Sequence, residues 1–207
     1  MRIFNEGQPD SYYMFFDTET TGLPKNYNAP ATDTDNWPRL VQLGWIVTDK
    51  SGVVCKQGNF IVKPEGFEIP EQASSVHGIT TEVAAAKGKK LINVLNWWIE
   101  DAADCEVIVG HNIPFDTHVV GAEMCRVSKT DVCGELMAYK TIDTMRSSMQ
   151  WCDVRKADGS VKFPKLIELY TKLFGHGFED AHDAMADIAA TKECFFELVK
   201  RGIIKES

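Results

Sequence analysis

The sequence predicts an α/β domain in which a three-stranded antiparallel meander is followed by strands and helices in alternation. Three observations predict it. Before residue 63 the apolar runs are short and strand-like, and two of them are joined by a tight turn. Beyond residue 80 the pattern switches to helical spacing interrupted by a short buried run, which implies parallel strands with crossovers. Finally, 207 residues at 44% apolar composition supply one full core, so the chain reads as a single domain spanning residues 1–207.

Residues 1 to 10 are polar and read as a short arm. The first strand runs from Tyr12 to Phe16 and ends in Asp17-Thr18-Glu19-Thr20-Thr21-Gly22. Pro24 to Arg39 mixes Pro, Asn and Asp, a composition that favours an extended loop over 24–40; at this length it reads as a functional excursion or lid. Val41 to Val47 is the second strand, and Val53 to Val62 the third, after the turn Asp49-Lys50-Ser51-Gly52. Thr80 or Thr81 is placed to cap a short helix through Ala86. Leu91, Val94, Leu95 and Trp98 recur at helical spacing, giving an amphipathic helix to near Ala102. Val107 to Gly110 reads as a buried strand, Phe115 to Arg126 as a helix, and Thr141-Ile142-Asp143 as a last short strand. Residues 151 to 160 look like a loop. A helix then starts at Phe163-Pro164 and runs to Phe174, stopped by Gly175-His176-Gly177. The final helix extends from Asp183 to Lys200 and is closed by Gly202.

Composition narrows the function. A formal net charge of −8 argues against a protein that coats nucleic acid through a general basic surface. It leaves room for an enzyme that meets phosphates through bound cations, because these reverse the local field of an acidic cluster. Cys55, Cys105, Cys125, Cys133, Cys152 and Cys194 form no Cys-x-x-Cys pair and read as reduced thiols rather than a disulfide framework or a zinc site. Neither a signal peptide nor an apolar run of membrane-spanning length is present, so a cytoplasmic protein without a membrane partner is expected.

The chemistry concentrates in carboxylates. In a strand, alternate side chains share a face, so Asp17 and Glu19 point the same way. Side by side at ~4 Å they would repel by about 4 kcal/mol at an effective dielectric near 20, which makes a divalent cation a natural occupant. Asp116 follows His111-Asn112-Ile113-Pro114-Phe115 just after a buried strand, where open α/β sheets gather their ligands. Asp183 is placed to cap the last helix, leaving His182 ahead of it and Asp187 in its first turn. Ahead of the helix, His182 can converge with Asp187; within a regular helix the two would lie about 140° apart.

Taken together, Asp17-Thr18-Glu19, then His111-Asn112 with Phe115-Asp116, then His182 five residues before Asp187, resemble the DEDDh class of 3′-5′ exonucleases, the DnaQ-like family. The resemblance covers the chain from about Tyr13 to Ala190. It implies an RNase H-like fold: a five-stranded mixed sheet, three antiparallel strands first, flanked by helices. It also implies two divalent cations, Mg²⁺ or Mn²⁺, held by Asp17, Glu19, Asp116 and Asp187, with His182 taking the proton from the attacking water. Released nucleoside 5′-monophosphates would be the product. Thr18 and Thr20 would approach the terminal nucleotide through their backbone, Val76 and His77 would border its base and sugar, Asn112 would orient the site, and Phe115 would offer a stacking face.

The expected activity is therefore a metal-dependent 3′-5′ exonuclease acting on single-stranded or frayed DNA. The alternatives are a short-RNA exonuclease of the oligoribonuclease or RNase T type, and a catalytically silent nucleic-acid or polymerase-interaction module. A DNA polymerase is a conceivable partner that the sequence does not itself support, since no tethering segment follows the last helix before Ser207.

Overall fold

The computed structural model describes residues 12–127, 136, 138–179 and 183–205. Its centre is one five-stranded sheet in the order β3-β2-β1-β4-β5, formed by β1 (Tyr13–Thr20), β2 (Leu40–Thr48), β3 (Val54–Ile61), β4 (Val107–Gly110) and β5 (Lys140–Asp143). β1 pairs antiparallel with β2, and β2 with β3, which is the expected meander. β4 joins the other side of β1 in parallel, followed by β5. The first strand is thus the middle of the sheet, and it is longer than its apolar run suggests. The acidic pair lies inside the strand, because Asp17 and Glu19 stay in register with Gly44 and Gln42.

Helices cover both faces. Alternation along β1 divides the core: Met14 and Phe16 pack with α3 (Leu91–Ala102) and α4 (Ile113–Arg126), whereas Tyr13 and Phe15 face α6 (Leu166–Phe174) and α7 (Ala184–Lys200). On that second face the rings of Phe15 and Phe195 meet edge-on at 5.5 Å and those of Tyr13 and Phe195 at 4.9 Å. Two short helices, α1 (Glu71–His77) and α2 (Thr81–Lys87), form a smaller cluster with Val41 and Ile61 at the β2–β3 side. Thr80 caps α2 through Val83 N–H.

Three helices depart from the sequence reading. The first, α1, precedes the one capped by Thr80, and it was not expected; Ala73 is its one buried residue, too little to mark an apolar stripe. The second, α5 (Thr144–Cys152), follows β5 directly, and the α6 helix starts at Leu166 rather than at Phe163-Pro164. Among the described residues no helix is long and apolar enough to cross a membrane. Among the described residues Cys105, Cys125, Cys152 and Cys194 are free thiols; Cys133 lies outside the described residues.

The stretch between β1 and β2 has no regular secondary structure, yet it is tightly held. At its base, Thr21 N–H donates to the Arg39 carbonyl and Arg39 N–H to Thr21 Oγ1, both at 2.9 Å. Glu123 on α4 is 1% exposed and receives Arg39 Nε at 2.8 Å, Leu40 N–H at 2.9 Å and the Arg126 guanidinium at 2.9 Å. Arg126 also donates to the carbonyls of Thr34, Trp37 and Pro38. Trp37 is buried and lies against His118, ring centres 4.8 Å apart. These bonds satisfy backbone groups that a loop would otherwise leave to water, so the segment is a fixed wall along α4 rather than a loose lid.

Candidate active site

The carboxylates collect at one end of the sheet, where β1 and β4 both finish. Asp17 and Glu19 share the face that α7 covers, and α7 brings Asp187 to them. One oxygen from each of the three carboxylates lies within 4.8 Å of the others. The close approach depends on a residue with no side chain. Gly44 sits directly opposite Asp17 on β2, and a Cβ there would stand 2.8 Å from Ile188 Cδ1 and 3.4 Å from Ala184 Cβ. Asp183 fixes the start of α7 by accepting Met185 N–H and Ala186 N–H, as expected of an N-cap.

This geometry makes Gly44→Val informative. The new side chain should push α7 off β2 and displace Asp187 by an ångström or so, lowering activity by about 10²-fold with a stability loss of about 1–3 kcal/mol. Mn²⁺ affinity by calorimetry is the check. Unchanged affinity in a folded variant would mean that Asp187 does not depend on this contact.

Asp116 arrives from the opposite face. It is 3% exposed, and its Oδ1 accepts both the backbone N–H of Thr18 at 3.0 Å and the Thr18 hydroxyl at 2.6 Å. Thr18 lies between Asp17 and Glu19 but points to the other side, so it links the α4 carboxylate to the β1 pair. Its N–H and hydroxyl are thereby already engaged. Thr20 likewise closes a local turn, its hydroxyl donating to the Gly22 carbonyl at 2.7 Å.

Asp116 depends in turn on how the chain leaves β4. Asn112 adopts a left-handed conformation (φ 71), which Asn tolerates better than most residues, and Pro114 follows in the first turn of α4. The Asn112 side chain makes no capping bond; instead the Asn112 N–H donates to Asp143 Oδ1 at 3.0 Å. Asp143, at the end of β5, also accepts Met145 N–H and caps α5. This residue was not singled out from the sequence. The signal that could have found it is an acidic residue at the carboxyl end of a parallel strand, the criterion that selected Asp116. His111 ties the same corner together through Thr144 Oγ1 and the Pro164 carbonyl, each at 3.0 Å.

Crowding these groups out of water has the expected electrostatic result. Burial raises the pKa of Glu19 to about 8, with Asp187, Asp116 and Asp183 adding to the shift. Burial also pushes Asp116 up to about 7, against the lowering effect of the Thr18 hydrogen bonds and with the Asp143 charge adding to the rise. Asp17 is raised well above the usual carboxylate range, first by burial and then by Asp116, Glu19 and Asp187. A set of ionised carboxylates cannot sit this close without a cation or protons.

The flanks hold the remaining residues singled out from the sequence. Val76 is 54% exposed at the end of α1. Beside it, His77 accepts Ile79 N–H on Nδ1 at 3.1 Å, leaving a buried Nε2 with no hydrogen bond of good geometry among the described residues. Burial lowers the His77 pKa, partly opposed by the Thr20 backbone, so the ring borders the end of β1. Phe115 is partly buried, with Trp37 6.4 Å from its ring. His182 lies outside the described residues.

The sequence profile of the RNase_T family, described as Exonuclease, matches residues 14–195, most of the chain. The chain belongs to this exonuclease family. DNA polymerase III subunit epsilon of Rickettsia conorii is 30% identical to it over 133 residues, 64% of this chain and 52% of that protein. The PolC-type DNA polymerase III of Streptococcus suis is 25% identical over 198 residues, 96% of this chain but 12% of that one. Among solved structures, E. coli exonuclease I in complex with a dT13 oligonucleotide superposes with a TM-score of 0.71 at 26% identity, over 91% of this chain and 40% of that one. The exonuclease chain described here therefore spans about half or less of these relatives. Its mixed sheet, three antiparallel strands extended by two parallel ones, is the RNase H-like fold that the resemblance implied.

Proposed function

We propose that this chain is a divalent-metal-dependent 3′-5′ exonuclease that releases nucleoside 5′-monophosphates from single-stranded or frayed DNA. One observation carries the reading: carboxylates from β1, α4 and α7, far apart in sequence, meet at a single sheet end, three of them with oxygens within 4.8 Å. A stability argument alone gives no reason to collect buried like charges. The donor set is all oxygen, which suits hard ions such as Mg²⁺ or Mn²⁺. Asp17, Glu19 and Asp187 would hold one ion between them, and Asp116, oriented by Thr18, would share a second with Asp17. When bound, such ions lower the pKa of water and favour negative charge on a phosphate.

The chain's own groups would do the rest. His182 precedes the N-cap residue Asp183 in the sequence and would accept the proton from the attacking water; an imidazole titrates near neutrality. The Nε2–H of His77 would donate to the sugar or phosphate of the terminal nucleotide, with Val76 against its base. Asn112 would act through the backbone of the β4–α4 corner, and Phe115 as an apolar wall beside Asp116. DNA is favoured over RNA because the Rickettsia and Streptococcus relatives are DNA polymerase III proteins and the exonuclease I neighbour was solved with an oligodeoxynucleotide.

The test is a pair of 5′-labelled 12-mers of matched sequence, one DNA and one RNA, incubated with Mg²⁺. Shortening from the 3′ end with release of mononucleotides, at least about tenfold faster on DNA, is expected. Faster cleavage of RNA would reassign the substrate to short RNA. Intact oligomers of both kinds would make the chain a silent binding module.

A further inference from the structure

We infer that Asp143 and Thr144 are positioning residues for the metal centre: together they clamp the turn that delivers Asp116, and so govern the ion that Asp116 would share with Asp17. The inference rests on the metal-dependent reading above and adds to it two residues that act through Asp116. Three observations lead to it.

The first is register. β4 and β5 run parallel and end together, Gly110 beside Asp143. Each strand is followed at once by a helix, β4 by α4 and β5 by α5. The two strand-to-helix junctions therefore lie side by side, at the end of the sheet where the carboxylates collect.

The second is that one junction holds the other, residue by residue. The buried Thr144 hydroxyl sits between the Gly110 carbonyl, at 3.1 Å, and His111 Nδ1, at 3.0 Å. Asp143 Oδ1 accepts Asn112 N–H at 3.0 Å. Gly110, His111 and Asn112, the three residues that lead from β4 into α4, are thus all held by the pair that leads from β5 into α5. The acceptor is itself fixed: Asp143 Oδ1 also takes Met145 N–H at 3.0 Å and Arg146 N–H at 3.3 Å, and Asp143 Oδ2 pairs with Arg146 Nε at 3.3 Å.

The third is strain. Asn112 holds a φ of 71, and among the described residues Asp153 is the one other non-glycine residue with a positive φ. A residue with a side chain stays in this conformation only where its surroundings over-determine it, and such residues gather at functional sites. Asn112 has no capping bond of its own, so the constraint comes from the clamp. Asp116 follows four residues later, in the first turn of α4, and any rotation of the turn carries its carboxylate along. The clamp also works against metal-free stability, because the Asp143 charge adds to the crowding at Asp116. Beside a dication the same charge is favourable.

The experiment follows Mn²⁺ binding by calorimetry for the wild type, Asp143→Ala, Asp143→Asn and Thr144→Val, alongside kcat and KM on dT12 in Mg²⁺. The wild type should bind two ions. In Asp143→Ala one step should weaken by roughly 10- to 100-fold while the other keeps its affinity. At limiting Mg²⁺ its kcat should fall in the same proportion and recover as Mg²⁺ is raised, with KM for dT12 within about twofold of the wild type. A merely structural loss would weaken both steps together, and added Mg²⁺ would not repair it. Asp143→Asn keeps an acceptor for Asn112 N–H and should stay within about fivefold of the wild type. Thr144→Val keeps the branched shape and should weaken the same step, which decides the matter if Asp143→Ala does not fold. Wild-type affinity at both steps in either folded variant, an equal loss at both, or an Asn variant no better than Ala would overturn the clamp. A wild type with fewer than two binding steps would remove the second ion and the clamp with it. A wild type that binds two ions but cuts nothing would sink the nuclease reading instead, and the binding steps would still decide Asp143 and Thr144.

Discussion

Asp17→Asn should lower nucleotide release on the order of 10³-fold or more while leaving the fold intact. Asp17 is the carboxylate on which the others act: Asp116, Glu19 and Asp187 all raise its pKa. Asn keeps the side-chain shape, so the register with Gly44 and the packing of α7 survive, but a neutral amide holds a dication far less well than a carboxylate. The same substitution should raise the melting temperature of the metal-free protein, because it removes one member of a buried, mutually repelling set. In Mn²⁺ the order reverses. At a concentration 100 times its Kd, an ion that binds only the folded chain stabilises the wild type by about 2.7 kcal/mol, and each kcal/mol shifts Tm by about 2–4 °C at this size. The variant should show little of that gain. Near-normal cleavage by Asp17→Asn in Mg²⁺ would remove the carboxylates from the mechanism.

The second large effect is on pH. Glu19 is raised from its ordinary 4.5 to about 8 and Asp116 from 3.8 to about 7, so between roughly pH 4 and 8 the folded chain binds more protons than the unfolded one. Stability rises with pH only where the unfolded state binds more protons. Here the sign is the opposite: these groups favour the folded metal-free protein most below about pH 4, and that contribution is lost as pH climbs through 7 and 8. Scanning fluorimetry in EDTA should therefore show Tm falling from pH 5 to 8. With Mn²⁺ the fall should disappear, because the ion takes the place of the protons and binds better as they leave. At pH 7 its binding should release on the order of one proton per chain, read by calorimetry in two buffers of different ionisation enthalpy. A flat EDTA profile with no proton release would show that the carboxylates are not crowded.

What could be read from the sequence follows from where the information sits. The acidic pair on β1, Asp116 after β4 and the Asp183 cap are local: each is a side chain at the end of an apolar element whose direction the pattern already gives. The meander and the alternation were legible for the same reason. Helix α5 was not, because the residues it buries are Thr144, Ser148 and Cys152, which recur at helical spacing but carry no hydrophobic signal. Gly44 was invisible as a spacer, since its importance lies in Ile188 and Ala184, near the other end of the chain. The loop read as an excursion or lid proved to be a braced wall, and the bracing depends on Glu123 and Arg126 of α4, a contact that composition cannot report. Asp143 had the right address, but it was taken only as the end of a short strand.

The dependence of the centre on α7 bears on how the molecule is made. Asp17 and Glu19 leave the ribosome well before Asp187, and the helix that carries Asp187 must dock on β2 before the three can meet. Until then the nascent polypeptide has only part of its carboxylate cluster. The acidic cluster is thus a property of the docked fold and not of its first strand alone.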